Sequence, residues 1–353
     1  QGIRTSSLHC LPTMAEPTSA RSVAVTSLAG ERLEVMVSPD DTVQQLTARA
    51  AAVWGLAPGQ LMLAAGASRP PPEGRALDFD SEAGFFAVVR QRGSMQALSG
   101  CREGGLHCWD LDTGLLLWRL PGHSGSVNCV AADFGRMLAL SGADDCTLRV
   151  WDMDTAKCLH ILEGHQDTVM CVAADFAVMK AVSGGDDDML RHWDLETGQC
   201  LQTLQGRHAY VASICCVTAD FVAMRALSGS ADNTLSYWDL ETGCCLQKLS
   251  EHRQYVQCVS ADFAAMMALS GSSDSTLRLW DLAEGRCLRI LRGHHCDVDA
   301  VAADFGAMRA VSGSDDTQLL CWDLETGAPG LALEGHTDRV IAVVADFGTN
   351  EAL

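Results

Sequence analysis

A Trp-Asp dipeptide that returns at nearly constant spacing constrains this chain more than any other feature. It stands at Trp109-Asp110, Trp151-Asp152, Trp193-Asp194, Trp238-Asp239, Trp280-Asp281 and Trp322-Asp323, at intervals of 42, 42, 45, 42 and 42 residues. A period of this size marks one supersecondary unit that cannot bury its apolar face alone and must stack on copies of itself. The text around each pair is almost constant: an apolar run such as Val169-Met170-Cys171-Val172, then Ala-Asp-Phe, then Ala-Val/Leu-Ser-Gly, then an acidic turn, then Trp-Asp. Short β-rich runs divided by Ser, Gly and Asp turns predict four short strands per unit.

These motifs resemble the WD40 repeat family over residues 93–353. The resemblance implies a mainly β chain: a β-propeller of four-stranded blades with six full Trp-Asp repeats and, on one of two solutions, a truncated seventh. It also implies a hydrogen-bonded set in each blade, here His165, Ser183, Asp187 and Trp193, and again His294, Ser312, Asp316 and Trp322. An Asp accepting from His, with His linked on to Ser and Trp, leaves few buried polar groups unpaired. Such a Ser-His-Asp set invites comparison with a catalytic triad, but it recurs in near-identical form, whereas an active site needs one special copy in a cleft. No G-x-G-x-x-G, P-loop, H-E-x-x-H or G-x-S-x-G motif occurs. No catalytic residue, cofactor or metal is therefore expected, and the chain is not expected to be an enzyme.

The blade count has two solutions. The last apolar run, at 340–345, has no Trp-Asp after it, and Trp109-Asp110 lacks a clear first strand. The C-terminal strand would complete the first blade and give six, or the chain stops inside a seventh repeat at Asn350-Glu351-Ala352-Leu353. Two local departures stand out. Glu103 replaces the turn Asp of the other copies, as in a degenerate terminal repeat. The stretch 205–213 carries three extra residues, which include Arg207 and Tyr210 and displace His208. In the family, partners dock on the face bearing the loops before each first strand. Carried over, that face offers Asp167, Arg207, Tyr210, Arg253, Tyr255, Asp297 and Arg339, a mixed aromatic and charged rim that would equally serve as a solvated surface.

Residues 21–92 break the repeat. Strands are predicted at 23–28, 33–37, 61–63 and 85–89, with a helix after Ser38-Pro39-Asp40-Asp41-Thr42 whose apolar face is Val43, Leu46, Ala50 and Val53. The text Leu28-Ala29-Gly30-Glu31, Gly55-Leu56-Ala57-Pro58 and Glu73-Gly74-Arg75 resembles the ubiquitin-like family, implying a small α+β β-grasp domain and an apolar contact patch at Leu28, Leu63 and Val88. The chain runs on through Arg92-Gly93-Ser94, so this domain cannot be a conjugated modifier and is expected to dock. Run 85–89 is also the only candidate first strand for the opening blade. Residues 1–20, which precede or include Met14-Ala15-Glu16-Pro17, are expected to be a disordered leader.

Charge narrows the partners. The net charge is −20, and residues 93–353 hold 17 basic and 36 acidic side chains against 7 and 8 in residues 21–92. An acidic surface repels phosphate backbones and anionic lipid, so proteins or peptides with basic segments are the expected partners, and nucleic acid and membrane are not. The basic-then-apolar layout of a signal peptide and a long apolar run are not seen, so neither a signal peptide nor a transmembrane helix is expected. Of the sixteen cysteines, which form no C-x-x-C pair, the two repeat series Cys129, Cys171, Cys216, Cys258 and Cys158, Cys200, Cys245, Cys287 read as small buried thiols of a reducing compartment. A cytoplasmic, or alternatively nuclear, location follows.

The leading functional expectation is a non-catalytic scaffold or adaptor, with the propeller holding a client and the ubiquitin-like domain docking on ubiquitin-pathway machinery or another assembly. A substrate receptor or subunit of a ubiquitin ligase is the alternative. Receptors of that kind carry Arg two places after Trp-Asp, where this chain has Asp112, Asp154, Glu196, Glu241, Ala283 and Glu325. A G-protein-β-like signalling scaffold is the third reading.

Overall fold

The structure is a computed structural model that describes residues 96–111, 116–205, 212–333, 335–343, 345 and 347, and before them the backbone of four strands. Those four are β1 (Arg21–Ser27), β2 (Arg32–Val37), β3 (Leu61–Ala65) and β4 (Phe85–Val89). They form one mixed sheet in the order β2-β1-β4-β3. β1 and β2 pair antiparallel from Arg21↔Val37 to Thr26↔Arg32, while β4 runs parallel to β1 through Val25↔Phe85 and antiparallel to β3 through Leu63↔Ala87. The helix expected over 43–53 lies outside the described residues.

That pairing resolves the double assignment of residues 85–89. As β4 they lie between β1 and β3, so they are not the first strand of the opening blade. The sheet that carries Trp109 has only three strands, β5 (Gln96–Gly100), β6 (Gly105–Asp110) and β7 (Leu116–Pro121). The expectation of six full repeats is corrected accordingly: among the described residues five repeats are full, and the Trp109-Asp110 copy lacks its first strand.

The five full copies are four-stranded antiparallel meanders. They comprise β8 (Val127–Asp133), β9 (Leu138–Ala143), β10 (Thr147–Asp152) and β11 (Lys157–Glu163); then β12 (Val169–Asp175), β13 (Lys180–Gly185), β14 (Met189–Asp194) and β15 (Gln199–Gln205). The third contains β16 (Ile214–Asp220), β17 (Arg225–Ser230), β18 (Leu235–Asp239) and β19 (Cys245–Leu249), and the fourth β20 (Val256–Asp262), β21 (Met267–Ser272), β22 (Thr276–Asp281) and β23 (Arg286–Arg292). The fifth is β24 (Val298–Asp304), β25 (Arg309–Ser314), β26 (Leu319–Asp323) and β27 (Pro329–Leu333). Among the described residues, no helix is long and apolar enough to cross a membrane.

The core lies between successive sheets. Leu140, Leu148, Val150 and Leu162 of one copy pack on Val169, Phe176, Ala181 and Trp193 of the next, and Val182, Leu190 and Leu204 pack in turn on Ile214, Phe221 and Trp238. Each such Leu or Val, fully withdrawn from water, contributes about 1.5–3 kcal/mol. The approach is close enough to demand glycine: a Cβ on Gly229 would stand 2.6 Å from both Cys216 Sγ and Val256 Cγ1. Val340 meets Gly313 in the same way, although the described residues after β27 form no strand.

Each first hairpin ends in Ala-Asp-Phe-x-x-Met. Asp175 accepts the Ala177 amide at 2.7 Å, and Met179 adopts φ 52°. A left-handed non-glycine residue is disfavoured; here its carbonyl accepts the Leu195 amide at 2.9 Å and ties the hairpin to the turn after Trp193-Asp194. Met137, Met224, Met266 and Met308 repeat the arrangement.

Candidate functional site

The second strand of a copy supplies a Ser, the third strand a Trp, the tight turn between them an Asp, and the loop before the first strand a His. The Trp193 indole N–H donates to Ser183 Oγ at 2.8 Å. His165 Nε2 lies 2.7 Å from the same oxygen, and its Nδ1 lies 2.9 Å from Asp187 Oδ1. The carboxylate can only accept, so Nδ1–H donates to it. In that tautomer Nε2 accepts the Ser O–H, and the Ser oxygen accepts from Trp. The Gln166 amide donates to the other carboxylate oxygen at 3.0 Å. His294, Ser312, Asp316 and Trp322 stand in the same relation, with His294–Ser312 at 2.7 Å, His294–Asp316 at 2.9 Å and Trp322–Ser312 at 2.7 Å.

Two further sets went unnamed in the sequence analysis: His123, Ser141, Asp145 and Trp151, and His252, Ser270, Asp274 and Trp280. Each brings His Nε2 within 2.8 Å of Ser and Nδ1 within 3.0 Å of Asp. The signal was present, since every His precedes its Asp by 22 residues. In the copy with three extra residues, Trp238 still donates to Ser228 at 2.9 Å, whereas His208 lies outside the described residues.

Burial decides what these sets do. Ser141, Ser183, Ser270 and Ser312 are 0% exposed, so a hydroxyl poised on a His Nε2 meets no substrate. Burial pushes the Asp145 carboxyl up, but hydrogen bonds from Thr147, the Ser124 amide and His123 outweigh it and hold the group below the ordinary carboxylate range. Asp187 and Asp316 are lowered in the same balance. Burial lowers the pKa of His123 despite Asp145. The four networks are structural cross-ties between loop, turn and sheet.

A repeat of sheets and cross-ties at this period has a counterpart among known sequences. Residues 114–152, 156–194, 198–239, 243–281 and 285–323 match the WD domain, G-beta repeat family. The chain belongs to the WD40 repeat family. A comparison with curated proteins found no match. Each matched WD40 stretch ends on the Asp after Trp and holds the fourth strand of one sheet with the first three of the next. The sequence unit is thus staggered against the structural one, and each copy is covalently locked to its neighbour.

In the WD40 sheets the loop before the first strand is bonded to the tight turn: Asp186 N donates to Thr168 O at 2.9 Å, Ser273 N to Tyr255 O at 2.9 Å, and Asp315 N to Asp297 O at 3.0 Å. Both loops therefore share one face. On it Asp167, Arg253 and Arg339 are exposed, Tyr255 is 53% exposed and Asp297 is half-buried. Arg207 and Tyr210 lie outside the described residues. Of the seven residues expected on this face, Asp297 and Arg339 converge, with Arg339 at 3.9 Å from Asp315. Asp299, which sequence reasoning passed over, joins them: burial, Asp315 and Asp297 push its carboxyl up to about 6. Its one signal was an acid in a strand position held by Met170 and Cys215 in other copies.

For the ubiquitin-like patch, Leu28 lies outside the described residues, and Leu63 and Val88 are described only as backbone in β3 and β4. Among the described residues no three His, Cys, Asp or Glu side chains are arranged to hold a metal. The fifteen described cysteines are all free. Burial drives the Cys129 thiol up to about 12 and pushes those of Cys171, Cys216 and Cys258 well above the ordinary thiol range. These are core side chains, not nucleophiles.

Proposed function

We propose that this WD40 chain is a non-catalytic adaptor whose loop face holds a client protein while the N-terminal sheet docks on a second assembly. WD40 repeats are general protein–protein interaction modules and typically non-enzymatic scaffolds. One observation carries the reading: every described Ser-His-Asp set is sealed beneath its loop, while the same loops leave Asp167, Arg253 and Tyr255 in solvent. Chemistry is enclosed and contact surface is presented.

The acids Asp144, Asp167 and Asp315, exposed on this face, favour a client segment rich in Lys or Arg. The docking role of the N-terminal unit draws support from its mixed order β2-β1-β4-β3 with parallel central strands, which suits a ubiquitin-like β-grasp. The ligase-receptor alternative draws none, since Asp154, Glu196, Glu241, Ala283 and Glu325 stand where such receptors place Arg. Free thiols throughout the described residues suit a cytoplasmic or nuclear setting.

The test is capture of partners by the intact chain beside a Leu28→Ala/Leu63→Ala/Val88→Ala variant. Selective loss of ubiquitin-receptor or proteasome components is expected. Identical partner sets would refute the docking role and leave a signalling scaffold of the G-protein-β-like kind.

A further inference from the structure

Among the described residues the outermost strands of the five full sheets are open edges, and one of them breaks the pattern of the rest. β15 and β27 carry no charge, and the lysine of β19, Lys248, is held by Asp232 at 2.9 Å. β11 balances Lys157 with Glu163. β23 reads Arg-Cys-Leu-Arg-Ile-Leu-Arg: three cations and no acid on seven residues of a chain whose net charge is −20. Arg286, Arg289 and Arg292 are all exposed, and so are Leu288 at 41% and Ile290 at 42%. Arg286 reaches Asp281 only at 3.7 Å, and among the described residues neither Arg289 nor Arg292 has an ion pair. Leu291 turns into the core, and Cys287 packs partly buried against it.

We infer that β23 is a docking edge for an extended acidic segment of a partner protein, which adds as a further strand beside Arg286, Arg289 and Arg292. Two physical arguments select this occupant. An edge strand presents a row of backbone donors and acceptors that a partner strand completes, and side chains directly opposite then decide which partner fits. Three arginines spaced three residues apart, spread over roughly 20 Å of strand, match carboxylates at the same spacing, with apolar residues between them to cover Leu288 and Ile290. Guanidinium and carboxylate meet in paired hydrogen bonds that a lysine edge would not form.

The other occupants are disfavoured on the same ground. A second copy pairing antiparallel through β23 in the fully overlapped register would set Arg289 against Arg289 and Arg286 against Arg292, and like charges directly opposite are destabilising; a slipped register would still leave the same three cations on both strands without a carboxylate to meet them. A nucleic acid would meet the three cations but also the field of the surrounding acidic surface. The edge is separate from the loop face, so this partner binds in addition to the client proposed above, and each proposal can fail alone.

The probe is a fluorescein-labelled peptide, Glu-Val-Thr-Glu-Val-Thr-Glu, titrated with the full chain at low ionic strength and read by anisotropy. Saturable binding is expected, weakened roughly tenfold or more by Arg286→Glu/Arg289→Glu/Arg292→Glu, by glutamines in place of the peptide's glutamates, and by salt above the screening range. Amides of β23 should gain hydrogen-exchange protection when the peptide is bound. The three side chains are exposed, so the melting temperature should hold; if the Glu variant does not fold, the matching Gln variant replaces it. Equal binding by wild type and variant, no preference over the glutamine peptide, or tighter binding of a labelled oligonucleotide would each overturn the assignment.

Discussion

Trp193 and Ser183 sit on neighbouring strands of one sheet, and the indole N–H of the first donates to the hydroxyl of the second at 2.8 Å, where neither reaches solvent. That bond fixes the third strand to the second and, through His165, ties both to a loop. Replacing the hydroxyl leaves the Trp N–H and the His Nε2 buried with no partner. Ser183→Ala is therefore expected to cost about 3 kcal/mol, measured by urea unfolding. A change below about 0.5 kcal/mol, the range of ordinary surface substitutions, would show that the network does not hold the sheet.

Gly229 marks a close approach between successive sheets. Gly229→Ala sets a methyl 2.6 Å from Cys216 Sγ and Val256 Cγ1, in an interface without slack. A loss of about 1–3 kcal/mol is expected. An unchanged melting temperature would mean that the sheets move apart freely.

His192 supplies a pH dependence. It is 4% exposed, stacks on Phe221 at 6.0 Å, and its Nε2 has no hydrogen-bond partner. Burial lowers its pKa below the ordinary 6.5, with Lys180 adding to the effect and Asp194 opposing it. The unfolded chain takes up this proton first as the pH falls, so the stabilisation is complete above 6.5 and declines below it. Val150 occupies the same place in an earlier copy. His192→Val should narrow the difference in melting temperature between pH 7.5 and pH 5.5; an unaltered difference would assign the dependence to other groups.

The thiols should divide by burial. Cys200, Cys244, Cys245 and Cys296 are exposed, whereas Cys171 and Cys258 are buried and Cys129 is held at about 12. Iodoacetamide on the native chain, followed by peptide mass mapping, should label the first four and reach Cys129, Cys171 and Cys258 only after unfolding. Rapid labelling of Cys258 would contradict the packed interface.

How far these features were legible in the sequence differs by kind. The Trp-Asp period exposed the sheets because each strand pattern is local and repeated six times. Residues 85–89 were ambiguous because an apolar run of five suits any sheet, and only pairing with β1 and β3 assigns it. The His123 and His252 sets were legible from the 22-residue spacing alone. Asp299 beside Arg339 was not, because their meeting brings a strand of one copy against a loop that lies some forty residues further along the chain. Nor was the isolation of Arg289 and Arg292, since the sequence does not say which acids reach them.

The central claim is that the loop face, with its chemistry sealed beneath it, is a protein-binding surface. Its most direct test is quantitative affinity capture with in-cell cross-linking, comparing the intact chain with Asp144→Asn/Asp167→Asn/Asp315→Asn. All three side chains are exposed, so the fold should be retained. Cross-links from the loop face to a basic client segment are expected, with depletion of that client in the variant. An undiminished client set, cross-linked elsewhere on the chain, would contradict it.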